Sequence, residues 1–338
     1  MRHKATHAPV VVITGASAGV GRATSRAFAD RGARIGLIAR GKEGLEATRR
    51  DVERRGGRAL VLPCDVADAQ AVDDAAATVE QELGPIDVWV NNAMVSVFSP
   101  IEEMTPDDYR RVTEVTYLGS VHGTLAALKR MKPRDRGKIV QVGSALAYRG
   151  IPLQSAYCAA KHAIQGFNDS LRTELLHDRS NVRVTSVHLP AMNTPQFRWV
   201  KSRLPRKGQP VPPIYQPEIA AEAIVWASEH DRRELHVGLP TIQAILGNKF
   251  LPGLGDWYLA RNGVEAQMGD EPQDPNQPHN LWEPLPGDRG AHGVFDEQAR
   301  DRRWELQLSI HRNAILGGLA LIGGLAAGLA WSRSSPTT

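Results

Sequence analysis

Between Val10 and about Val237 the chain alternates short apolar runs with longer amphipathic stretches, and that alternation restricts it to a small set of layered folds. Seven runs read as strands: Val10 to Thr14, Arg34 to Ala39, Ala59 to Pro63, Val88 to Asn91, Lys138 to Gly143, Arg183 to Leu189 and Glu234 to Val237. Most lack polar alternation, as expected where both faces of a sheet are covered. Val20, Ala23, Ala27 and Phe28 share one helical face, and Asp107 to Met131 and Ser155 to Leu176 are long enough for major helices. Gly32 and Gly137 stand where helix ends and turns favour glycine. The pattern predicts an α/β protein with a doubly wound, mostly parallel sheet of about seven strands.

The chain's 338 residues accommodate one large domain and a tail. We expect a catalytic domain over residues 1–262, a largely irregular linker over 263–313 and an apolar segment over 314–331. The 41 basic and 37 acidic residues are interspersed and leave a formal charge of +4, so no nucleic-acid partner is expected. Cys64 and Cys158 have neither metal-ligand spacing nor the count of a disulfide framework, and no metal site is expected. The polar, basic stretch Met1 to Pro9 does not read as a secretory signal, which places the catalytic body in the cytoplasm. Met192 to Pro217 carries six prolines and reads as a lid over the carboxyl edge of the sheet, or else as a surface excursion. Ala314 to Trp331 holds no charged residue and just reaches membrane-spanning length, although five glycines weaken it. Arg302, Arg303 and Arg312 precede it and Arg333 follows, which orients a C-terminal anchor with its N-terminal side in the cytoplasm. The alternative is a helix packed on the body or on a partner.

Thr14-Gly15-Ala16-Ser17-Ala18-Gly19-Val20-Gly21 joins the first strand to the first helix, where backbone N–H groups and the helix dipole can hold a pyrophosphate. Gly15 suits the turn, and Gly19 and Gly21 suit a close backbone approach, so Gly15, Ser17, Gly19, Val20 and Gly21 are candidate cofactor contacts on a Rossmann-type sheet. The second strand ends in Ile38-Ala39-Arg40, with no acid for a ribose hydroxyl and a guanidinium that suits a 2′-phosphate. This favours NADP(H), the alternative being that Arg40 is a solvated surface charge. Tyr157 and Lys161 are four apart on a predicted helix and share a face, and Ser144 ends the fifth strand at the same sheet edge. A free phenol has a pKa near 10, and a neighbouring ammonium favours phenolate. Tyr157 then exchanges a proton with a carbonyl or alcohol oxygen, Lys161 lowers the phenol, and Ser144 orients and polarises that oxygen.

These residues resemble the short-chain dehydrogenases/reductases from Val10 to about Val237. The resemblance rests on Thr14-Gly15-x-x-x-Gly19-x-Gly21, Cys64-Asp65-Val66, Asn91-Asn92-Ala93, Ser144 with Tyr157-x-x-x-Lys161, and Pro190-Ala191-Met192-Asn193-Thr194. It implies that Asp65 contacts adenine, Asn91 shapes the cofactor floor, Tyr157 and Lys161 also meet the cofactor, Lys161 through the nicotinamide ribose, and Thr194 approaches the carboxamide. Met94 and Ala191 replace family glycines, and Thr116 replaces the asparagine that supports a water-linked proton relay. The resemblance also implies a homodimer or tetramer through the helices of Asp107 to Met131 and Ser155 to Leu176.

The leading expectation is an NADP(H)-dependent oxidoreductase that interconverts a carbonyl and an alcohol on an apolar substrate. Thr116 and the long tail leave a membrane-tethered, non-catalytic NADP-binding scaffold as the second reading. An isomerising or epimerising enzyme that recycles its nucleotide is the third.

Overall fold

The computed structural model describes residues 8–312 and residue 314. Seven parallel strands form its sheet: β1 (Val10–Thr14), β2 (Arg34–Ala39), β3 (Arg58–Pro63), β4 (Val88–Asn91), β5 (Lys138–Ser144), β6 (Arg183–Leu189) and β7 (Glu234–His236). Their order is β7-β6-β5-β4-β1-β2-β3, so the direction of winding reverses between β1 and β4. A reversal of this kind opens a crevice at the carboxyl ends of the strands, where ligands bind in such sheets.

Alternate residues of β1 enter two separate cores, which accounts for its uninterrupted apolar sequence. Val10 and Val12 pack with Trp89 and Ile139 beneath α3 (Ala69–Leu83), α5 (Gly119–Met131) and α6 (Ser155–His177). Val11 and Ile13 pack with Val90 and Val140 beneath α1 (Gly19–Ala29), α2 (Lys42–Arg54) and α7 (Pro217–Glu229). The predicted helix Asp107 to Met131 is divided. It comprises α4 (Pro106–Val112), a wide π-turn at Thr113–Leu118 and α5. The start of α4 is fixed by a reciprocal cap, in which Thr105 Oγ1 accepts from the Asp108 amide and Asp108 accepts from the Thr105 amide, both at 3.2 Å.

Met192 to Pro217 is less irregular than its prolines suggest. Lys201–Ser202 pairs in parallel with Val97–Phe98, and Arg206–Gly208 pairs antiparallel with Met268–Pro272. A small core of Phe98, Leu153, Val200, Leu204 and Met268 lies beneath these pairs. Two further helices, α8 (Leu239–Phe250) and α9 (Pro252–Asn262), follow β7, and α10 (Arg303–Ile310) closes the described chain. Among the described residues no helix is long and apolar enough to cross a membrane, and the segment 314–331 lies outside them except for Ala314.

Candidate active site

The turn after β1 is locked to the turn after β4. Asn92 Nδ2 donates to the Thr14 and Gly15 carbonyls at 3.0 and 3.2 Å, and Thr14 Oγ1 accepts from the Asn92 and Ala93 amides. Gly15 has φ +67°, and a Cβ there would sit 2.8 Å from Ala93 Cα. A Cβ on Gly21 would lie 2.2 Å from the Gly15 carbonyl oxygen, so that position has no room for a side chain. Ala18 precedes α1 without a side-chain cap, so no capping side chain competes for the helix N-terminus, whose first amide, that of Gly19, donates to the Gly290 carbonyl. This close-fitting glycine cradle suits the pyrophosphate of a dinucleotide. Gly15, Ser17, Gly19 and Val20 line a cavity of about 490 Å³ that also reaches Arg40, Asp65, Ser144, Tyr157, Lys161 and Thr194.

Ser144 stands at the end of β5, where its Oγ accepts from the Leu146 amide at 3.1 Å and faces the same cavity as the Tyr157 phenol. Lys161 is buried one helical turn beyond Tyr157. Its Nζ lies 5.6 Å from the Tyr157 ring centroid and donates to the Val142 carbonyl at 2.7 Å. Burial pushes the lysine down to about 8. The same desolvation raises Tyr157 above the ordinary phenol range, while the Ser144 hydroxyl acts in the opposite direction. The expected lowering of the phenol by Lys161 is therefore corrected. Burial dominates here, although Tyr157 keeps part of its surface open to the cavity.

Three expected site residues stand behind the cavity wall. Gly21 packs into the β1 turn, and Asn91 spends its amide on Ser120, Thr124 and Trp89 between β4 and α5. Thr116, in the π-turn, is fully buried and exchanges hydrogen bonds with Val95, while its carbonyl accepts from Ser120 Oγ at 3.0 Å. Met94 and Ala191 both line the cavity without positive φ, so side chains fit where glycines were expected. Behind Ser144, His188 Nδ1 lies 3.3 Å from the Ser144 carbonyl, and Tyr148 donates to Glu234 at 2.7 Å. Burial and the nearby His236 push His188 down to about 4, which keeps it neutral near pH 7.

No motif or pattern in the sequence points to the wall contributed by residues 280–293. Leu281 inserts fully buried into the core cluster that also holds Val66. Arg40 donates to the carbonyls of Asn280, Leu281 and Trp282, and Arg111 bridges the Leu281 carbonyl at 3.0 Å and Asp65 at 2.5 Å. Farther on, Arg22 pairs with Asp288, and the Gly19 amide donates to the Gly290 carbonyl at 3.1 Å. Asn280, Pro284, Gly287 and Arg289 thereby line the cavity beside the glycine turn. The cysteine, proline and charge patterns contain nothing that predicts this return of the chain. The contacts depend on backbone carbonyls brought back across 170 residues or more.

The short chain dehydrogenase family model matches residues 9–204. An uncharacterized oxidoreductase, YxnA, of Bacillus subtilis is 32% identical over 331 residues, covering 96% of this chain and 90% of the relative. A fatty acyl-CoA reductase of Acinetobacter baylyi is 32% identical over 220 residues, covering 64% of this chain and 72% of that protein. Among solved structures, an alcohol dehydrogenase of the archaeon Thermococcus sibiricus complexed with 5-hydroxy-NADP aligns with TM-score 0.59 and 28% identity. A metagenomic short-chain oxidoreductase in complex with NADP aligns with TM-score 0.56, also at 28% identity. Each structural match covers 68% of this chain and 96% of the other.

Proposed function

The chain belongs to the short-chain dehydrogenases/reductases, and on that premise we propose that it interconverts a carbonyl and an alcohol with NADP(H), acting on an apolar substrate. One observation carries the reading: Ser144, Tyr157 and Lys161 meet on the wall of the same cavity as the glycine cradle. Gly15, Ser17, Gly19 and Val20 of that cradle would hold NADP(H), which would supply or accept the hydride. Tyr157 gives the carbonyl oxygen its proton, or removes it in the opposite direction, and Ser144 holds that oxygen through its hydroxyl. Lys161, fixed to the Val142 carbonyl on the same cavity wall, would meet the nicotinamide ribose.

The preference for NADP(H) is supported by Arg289 on the cavity wall, by the absence of an acid at the end of β2, and by the NADP-type ligands of the two solved relatives. An apolar substrate is supported by Phe197, Val200, Val211, Ala244 and Leu259 on the cavity wall, and by a relative named for reducing fatty acyl-CoA. We also propose a homo-oligomer through α5 and α6, each of which leaves a leucine, Leu125 and Leu176, exposed. The test of activity is NADPH consumption with straight-chain aldehydes and ketones of increasing length. Rising kcat/KM with length supports the proposal. NADPH binding without consumption of any of them would overturn it.

A further inference from the structure

The α8–α9 hairpin buries almost nothing. Thr241 is the only buried residue of α8, and α9 has none. Leu246 and Phe250 stand one turn apart on α8, Leu251 occupies the bend, and Leu254, Trp257 and Tyr258 follow at helical spacing on α9. All six are exposed, Phe250 by 71% and Trp257 by 52%, which concentrates an apolar surface at one projecting tip. Cations rim it. The Arg261 guanidinium lies 4.0 Å from the Trp257 ring centroid, and Lys249 Nζ lies 6.0 Å from that of Phe250. The inner side is polar and joined to the body, because Arg149 reaches Asn248 at 3.0 Å and Asp256 at 2.6 Å.

We propose that this hairpin docks on a lipid surface and that the cavity receives its apolar substrate from there. Aromatic and leucine side chains flanked by Lys and Arg are the composition of a segment that lies in a bilayer interface. The placement of the patch on the fold favours lipid over a second copy of the chain. Tyr258, Leu259, Thr241 and Ala244 belong to the cavity wall, so the exposed tip is continuous with the substrate entrance. Delivery of substrate rests on the reductase reading above, whereas docking does not.

The test uses the full chain with Leu254→Cys carrying an environment-sensitive fluorophore, Cys64 and Cys158 being buried. Phosphatidylcholine and phosphatidylglycerol vesicles should shift the emission to the blue, and doxyl-labelled lipid should quench it. The same label at Leu176→Cys, at the opposite end of α6, should respond to neither. Adding Phe250→Ser and Trp257→Ser should weaken the vesicle response by about tenfold or more. Vesicle binding with a silent Leu254 label would overturn the proposal, because attachment would then reside elsewhere in the chain. A blue shift that follows protein concentration without lipid would also overturn it and assign the patch to self-association. None of these readings needs turnover, so inactivity toward carbonyls would remove the proposed function and leave docking separately decided.

Discussion

Thr116 and Val95 exchange two hydrogen bonds across the active-site wall: the threonine hydroxyl donates to the Val95 carbonyl at 2.9 Å and accepts from the Val95 amide at 3.1 Å. The pair ties the π-turn to the segment after β4, which carries Met94 and Val95 into the cavity wall. Thr116→Val should cost roughly 1–3 kcal/mol, because it leaves a buried amide and carbonyl unpartnered, while Thr116→Ser should keep most of the stability. Equal denaturation midpoints for Thr116→Val and the unmutated protein would show that the exchange contributes nothing.

Tyr157→Phe removes one oxygen from the cavity wall and leaves the glycine cradle intact. Turnover should fall by about 10²- to 10⁴-fold, the range of a lost general acid, with NADPH affinity retained. Stopped-flow turnover and NADPH fluorescence separate the two effects. Unchanged turnover would revive the non-catalytic reading.

Lys161 is held down to about 8 by burial, well below its ordinary 10.5. The folded chain therefore binds fewer protons than the unfolded chain between those values, and stability from this residue rises as pH climbs through that window. Below about pH 8 the buried charge is a full cost. Lys161→Met should thus be inactive yet more stable at pH 7, by on the order of 1–3 kcal/mol, with the advantage shrinking toward pH 10. Denaturation of both proteins from pH 6 to 10 measures this, and a gap that widens with pH would contradict it.

Arg40 has its terminal nitrogens engaged with the carbonyls of residues 280–282, whereas Arg289 faces the cavity near the glycine turn. Arg289→Gln should weaken NADPH binding by about tenfold through loss of a charge-assisted contact. Arg40→Gln should weaken NADPH and NADH alike by loosening the outer wall. Titrations of both nucleotides decide the division of labour, and an NADPH-only loss at Arg40 would return the 2′-phosphate to that residue.

Asp108 joins the cap of α4 to the segment over the cavity, accepting from Lys201 at 2.8 Å and Arg203 at 2.6 Å. Burial alone would raise its carboxyl, but the two cations outweigh it and hold it at about 2. The stabilisation is present above about pH 4 and is lost as pH falls toward 2. Asp108→Asn should lower the melting temperature at pH 7 and raise KM for the carbonyl more than Kd for NADPH. An effect confined to NADPH would place this contact outside the substrate wall.

The sheet was legible because the apolar run and burial agree at its central strands: Val10 to Thr14, buried on both faces, can only be central. The glycine turn, Ser144 and the Tyr157–Lys161 pair were legible because local spacing fixes what one strand end or one helical face presents. Three features depended on the tertiary structure. Thr116 and Asn91 stand behind the wall because partners on other elements consume their polar atoms. The phenol of Tyr157 is raised because the surrounding core desolvates it, a property of packing density with no local signature. Residues 280–293 close over the glycine turn because Leu281 is buried in the core cluster that also holds Val66, and Arg40, Arg111 and Arg22 bind the returning segment. Local sequence sets periodicity and turn geometry, but the position to which a long irregular segment returns is set by burial and charge complementarity among residues distant in the chain.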